Sequence, residues 1–190
     1  AELARCLSMG PCVGVKMHRY RQAPYTMDAE FLRPVFELLA EHRLVYLNHV
    51  FVDHDSLVSA ARRYREVTFL SGHGVDTAIN DLAVEHDNVR DCTCAALTPD
   101  EIGEEVKRLG RSDTMLVGSD FGLFNLGFGL GPVVFSTASE KQQRSIIGGN
   151  ALSLLSRIPE LSSYGDTIAS RYSDQVDGVH HVDQVTAADE

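Results

Sequence analysis

The chain has 190 residues, 44% apolar and 23% charged, with a net charge of −10 at pH 7. That length can bury one sizeable core, and the acidic balance argues against a nucleic-acid surface, which needs clustered Lys and Arg. No apolar run approaches the ~20 residues of a membrane span, and Ala1-Glu2-Leu3-Ala4-Arg5 reads as the middle of a helix rather than a secretory signal.

Residues 1–9 read as a helix, broken by Gly10-Pro11. Residues 12–18 alternate, with Val13, Val15 and Met17 on one face and Gly14, Lys16 and His18 on the other, which predicts a strand. A polar loop follows over 19–27. Asp28 can cap a helix over 29–42, and Pro34 inside it predicts a kink or a late start. The second strand is 44–49, ending in Asn48-His49. Asp55 or Ser56 can cap a helix over 57–64. The third strand, 67–70, runs into Ser71-Gly72-His73-Gly74. A helix near 76–85 and a fourth strand over 89–94 come next. Thr98-Pro99 starts a helix that stops at Gly110. The fifth strand is 114–117, before Gly118-Ser119-Asp120. Residues 122–131 read as a glycine-rich loop. Ser139 caps a helix over 140–147, and Gly148-Gly149-Asn150 separates it from a short helix over 151–157. From Ser162 the chain is polar and acidic, and residues 161–190 read as a disordered tail appended to a 1–160 domain.

Alternating strands and helices with short loops predict an α/β fold with a parallel sheet. Five strands in about 160 structured residues fit either an open sheet or part of a barrel, since a closed eight-stranded barrel typically takes ~250 residues.

His49, His73 and Asp120 each stand at the end of an apolar run. The interval from His73 to Asp120 is close to twice that from His49 to His73, as expected for strands one and two βα units apart. All three fall at the C-terminal ends of parallel strands, where such folds build chemistry. Imidazole and carboxylate are the ligand set of a catalytic divalent ion, zinc foremost. His73 and Asp120 are also the candidate proton carriers. Lys16, inside the first strand on the face of His18, could hold a substrate carboxylate, carry a metal-bridging carbamate, or reach the rim of the sheet. His18 carries a weaker version of the same reading. The four cysteines, Cys6, Cys12, Cys92 and Cys94, match no metal or redox motif. They read as reduced thiols in a reducing compartment, so a cytoplasmic protein is expected.

Gly14-Val15-Lys16-Met17-His18, the strand ending in His49, Gly72-His73-Gly74, Asn88-Val89 with Asp91, Gly118-Ser119-Asp120-Phe121 and Gly149-Asn150-Ala151 occur in this order. In that order the chain resembles the amidohydrolase-related family, metal-dependent TIM-barrel hydrolases and non-oxidative decarboxylases, over about residues 1–157. The resemblance implies a partial (β/α)8 barrel, approximately strands four to eight with their helices. It implies His49 as the strand-five metal ligand, His73 as the strand-six histidine that activates water or binds a second metal, and Asp120 as the strand-eight aspartate that binds metal and shuttles a proton. Lys16 matches the strand-four position where some relatives carry a carboxylated lysine.

Two departures stand out. The family's His-x-His first strand has no counterpart here, nor do the first three βα units, and Gly122 stands where the family often has Pro. The expected function is a metal-dependent hydrolase of amide, imine or ester/lactone bonds, weak or inactive as this chain alone. The alternatives are a decarboxylase on the same scaffold, or a non-catalytic α/β module acting by association. The expected partners are a small-molecule substrate and either a second copy or an N-terminal segment, with no nucleic acid and no membrane.

Overall fold

A computed structural model describes residues 2–10, 12–18 and 25–161. The expected acidic tail from Ser162, and residues 19–24 of the expected polar loop, lie outside the described residues. Helix α1 (Glu2–Met9) precedes five short strands. These are β1 (Gly14–Met17), β2 (Val45–Asn48), β3 (Thr68–Ser71), β4 (Val89–Cys92) and β5 (Met115–Leu116). They form one parallel sheet in chain order. The connections carry α2 (Arg33–Glu41), α3 (His54–Arg63), α4 (Thr77–Glu85) and α5 (Pro99–Leu109). Helices α6 (Leu126–Val134), α7 (Glu140–Arg144) and α8 (Asn150–Leu155) follow β5.

The alternation read from the sequence decides the two faces of the sheet. Tyr46 and Phe69 share a register row and are fully buried. They pack on Phe36 of α2, with ring centroids 5.0 and 5.3 Å away. The other face carries Lys16, Leu47 and Leu70 in one row. Leu47, Leu70 and Leu116 line a largely apolar cavity of about 310 Å³ with Leu154 and Leu155. Among the described strands, β1 and β5 are the outer ones.

The packing settles one local expectation and corrects others. Of the kink or late start expected at Pro34, helix α2 shows the late start. A 3₁₀ turn over Glu30–Leu32 leads into it, and Pro34 falls in its first turn, where no N–H is needed. Asp53, not Asp55 or Ser56, caps α3 by accepting from the Ser56 amide. Strand β5 is shorter than expected because the Val117 amide donates to Ile146 O, not to a neighbouring strand. The fourth strand likewise stops at Cys92, two residues before its expected end, although Thr93 N still donates to Leu116 O.

The glycine-rich segment expected as a loop contains α6, started by Asn125, whose side chain accepts from Phe128 N. Glycine is a poor helix former, but here tertiary contact overrides propensity. A Cβ on Gly129 would come within 2.7 Å of Ser119 Cα, so only glycine lets this helix lie against the end of β5. Gly148 and Gly149 do not break the helix. A π turn over Ser145–Gly149 joins α7 to α8, and its Ile146 is fully buried.

Three residues of the motif order turn out to be locks. The Asn88 side-chain amide donates to the carbonyls of Ala61, Tyr64 and Val67, at 3.0, 3.2 and 3.0 Å. It therefore ties the end of α3 to the starts of β3 and β4. Asp91 is fully buried and accepts from Asp76 N and from Asn80 Nδ2, holding the start of α4. Burial pushes its carboxyl well above the usual range, and the amide donors oppose that. The Asn150 amide donates to Ser112 O and Met115 O, at 2.8 and 2.7 Å, and so fixes α8 to β5.

Replacing Asn88 with alanine leaves its buried carbonyl partners short of a donor. Asn88→Ala is expected to lose about 1–3 kcal/mol in urea unfolding. A loss below about 0.5 kcal/mol, the range of an ordinary surface substitution, would contradict the lock.

Candidate metal and proton-transfer site

All five strands contribute a polar side chain at the same end of the sheet. Met17 pairs with Asn48, and Asn48 with Ser71. One residue on, His18 and His49 stack, with ring centroids 4.0 Å apart. The register partner of His49 on the third strand would be Gly72. A Cβ there would lie 2.6 Å from Asn48 O and 3.0 Å from Lys16 Nζ, so the glycine leaves room for the lysine ammonium. His73 follows, its ring meeting His49 edge-on at 4.2 Å.

The loops after β3 and β4 are tied together. Gly74 N donates to Cys94 O at 2.6 Å, and Cys94 Sγ lies 3.5 Å from His73 Nδ1. Beyond β5 the chain turns sharply at Asp120, whose φ is 49°. Aspartate is one of the few residues that tolerates this region. Its carbonyl accepts from Leu123 N and Phe124 N, which leaves the carboxylate exposed at the mouth.

Among the described residues, one group brings three different donor types together. An imidazole nitrogen of His73, Cys94 Sγ and a carboxylate oxygen of Asp120 all lie within 4.8 Å of one another. Ligands about 2.0–2.3 Å from a shared tetrahedral ion lie about 3.3–3.8 Å apart, so side-chain shifts of about 1 Å would close this set on a divalent metal. Of the expected residues, His73 and Asp120 converge with each other, His49 lies against His73, and His18 and Lys16 flank His49. Sequence reasoning missed Cys94. The spacing Cys92-Thr93-Cys94 matches no metal motif, and the one available signal was its place past the end of β4, parallel to that of His73 past β3.

The electrostatics favour neutral imidazoles. Burial, then the positive charges of His73, His18 and Lys16, lower the His49 pKa to about 4, with Asp120 opposing. Burial and Lys16 also lower His73, again against Asp120. Neutral rings keep a lone pair for a metal or a proton. Burial raises the Cys94 thiol, and Asp120 adds to that. Burial pushes Cys92 up to about 12.

No family model matches the chain, and no curated protein matches it by sequence. Solved structures do match. A dihydroxybenzoic acid decarboxylase from Polaromonas sp., with manganese and the inhibitor 2-nitroresorcinol bound, superposes with a TM-score of 0.63 at 14% identity. The match covers 80% of this chain and 63% of that one. A TIM-barrel protein from Bordetella bronchiseptica gives 0.56 at 15% identity, over 71% and 53%. This chain has the fold of part of a TIM barrel. A 4-oxalomesaconate hydratase from Rhodopseudomonas palustris gives 0.62 at 16% identity, over 93% of this partial barrel and 63% of the hydratase. The partial barrel thus spans under two thirds of the length of these structures. None of its described helices is long and apolar enough to cross a membrane.

Because the folded-state pKa of His49 lies below its ordinary 6.5, the neutral ring stabilises the fold fully above about pH 6.5. That contribution is lost as pH falls towards 4. In an NMR titration of the imidazole ring protons, His49 should have a midpoint near 4. A midpoint at 6.5 or above would contradict the crowded, half-buried setting described here.

Proposed function

We propose that this chain carries the metal-binding and proton-transfer part of a barrel enzyme that decarboxylates small aromatic or unsaturated carboxylic acids. The observation that supports it most is the position of Lys16. Its ammonium occupies the space that Gly72 leaves open, beside His49 and on the same side as the His73–Asp120 convergence. A fixed cation next to a metal-competent pair suits a substrate that is itself a carboxylate. The fold neighbours add support, since one is a dihydroxybenzoic acid decarboxylase and another a hydratase.

In this reading His73 and Asp120 hold a divalent ion, with His49 beside them. A bound ion there supplies a Lewis acid for substrate oxygens and lowers the pKa of a bound water to about 7. Manganese, as in the decarboxylase neighbour, and zinc are both candidates. Lys16 and His18 orient the carboxylate. Asp120, exposed at the mouth, would relay a proton from solvent to the substrate carbon as the carbon–carbon bond to the departing carbon dioxide breaks. With one ring nitrogen on the ion, His73 would keep its other N–H as a donor on the inner side. Hydrolysis of an amide, imine or ester/lactone bond is the second reading, favoured by the neutral ring of His49 beside the ion as a base towards water. Association belongs to the proposal too. The outer side of β5 is taken up by Asn150 and by the Ile146 carbonyl, so β1, the other outer strand among those described, is where a further strand would add, from a second copy or from additional βα units.

Carbon dioxide release should be measured for the 190-residue chain with manganese or zinc, against hydroxybenzoates and against amides and lactones. Slow decarboxylation is expected, falling about 10²-fold in Asp120→Asn. Lys16→Met should raise KM about tenfold with a smaller change in kcat. Hydrolysis without carbon dioxide release would favour the second reading, and stoichiometric self-association without metal uptake would favour a role in binding alone.

A further inference from the structure

We infer that Cys94 is itself a metal ligand, and that its thiolate makes this site prefer zinc over manganese. The inference rests on the metal reading of His73 and Asp120 and goes beyond it, because it names a sulfur donor and the selectivity that follows. Cys94 is buried, at 4% exposure, and its Sγ faces the ring of His73. The two side chains are held in that relation by backbone, through the Gly74 N to Cys94 O bond. The chain then turns away at Ala95, with φ 61°, so the thiol stays inside while the loop leaves the mouth.

Room for the thiol is built in from the neighbouring strand end. A Cβ on Gly118 would lie 2.9 Å from Cys94 Cβ and would overlap the sulfur of Cys92, so a side chain there would push the cysteines out of place. Cys92 and Cys94 both border Gly118, but only Cys94 reaches the convergence with His73 and Asp120. A cysteine ligates a metal as its thiolate. On binding, the sulfur–hydrogen bond breaks, the proton leaves to solvent, and the sulfur pair bonds the ion. A thiolate is a soft donor that suits zinc and cobalt far better than manganese, which favours oxygen ligands. One nitrogen, one sulfur and one oxygen leave a position open for water or substrate, the pattern of a catalytic rather than a structural site.

The test is cobalt(II) titration of the full chain in a Cys6→Ser/Cys12→Ser background, which removes the exposed and half-exposed thiols. A sulfur-to-cobalt charge-transfer band in the near ultraviolet is expected at one equivalent. It should persist in Cys92→Ser and vanish in Cys94→Ser, with the visible cobalt bands retained. Zinc should bind at least about 10³-fold more tightly than manganese, and Cys94→Ser should narrow that ratio at least tenfold. If Cys94→Ser does not fold by circular dichroism, the band and the zinc-to-manganese ratio of the cysteine-containing background decide the matter. Cobalt uptake without a sulfur band, or a band lost only in Cys92→Ser, overturns the thiolate ligand while leaving a nitrogen–oxygen metal site intact. No cobalt or zinc uptake at all overturns both.

Discussion

In β1, β2 and β3, in-register parallel pairing sets Met17 beside Asn48 and Asn48 beside Ser71. This one constraint decides which side chains meet at the mouth. Side chains alternate along a strand, so a slip of one residue would exchange the two faces. His49 and Leu47 would then face the helices, and Tyr46 would be forced into the barrel interior. The register is secured by apolar burial on the helix side, where Phe36, Tyr46 and Phe69 interlock without exposure to solvent above 1%. The chemistry at the mouth is therefore held by packing on the opposite face of the same strands.

The inner face has a clear division of labour. Its middle, lined by Leu47, Leu70 and Leu116, is largely apolar; Lys16 rises from that same row to set its ammonium beside Gly72, and the C-terminal rim carries the histidines, Cys94 and Asp120. A low-dielectric floor beneath a polar rim strengthens every charge interaction at that rim. Burial first, and Lys16 beside both rings, lower the two imidazole pKa values together, although Asp120 pulls the other way. The loop beyond Asp120 leaves Phe121 and Leu123 more than 70% exposed, so the entrance has an apolar lip as well as charged groups.

Much of this was legible in the sequence. Period-two alternation places Lys16 and His18 on one face, and the apolar runs ending at His49 and His73 locate two neighbouring strand ends. The parallel α/β alternation follows from those elements, which left an open sheet and a partial barrel both possible, and the resemblance carried by the motif order implied the partial barrel. What escaped has physical reasons. The glycines of 122–131 signal a loop by propensity, but the close approach of Gly129 to the end of β5 makes a helix there. Asn88, Asp91 and Asn150 stand in the motif order yet serve the scaffold, by bonding backbone groups far away in sequence. Cys94 was hidden because its partners come from two other loops, and no local spacing encodes that meeting.

At one place in the molecule a ring nitrogen, a thiol sulfur and a carboxylate oxygen face each other. Anomalous X-ray diffraction from crystals of the chain grown with zinc tests this most directly. The expected result is a single strong peak at the mouth, about 2.0–2.3 Å from His73, Cys94 and Asp120. A peak elsewhere, or a refined structure with His73 and Asp120 on different rims of the sheet, would contradict it.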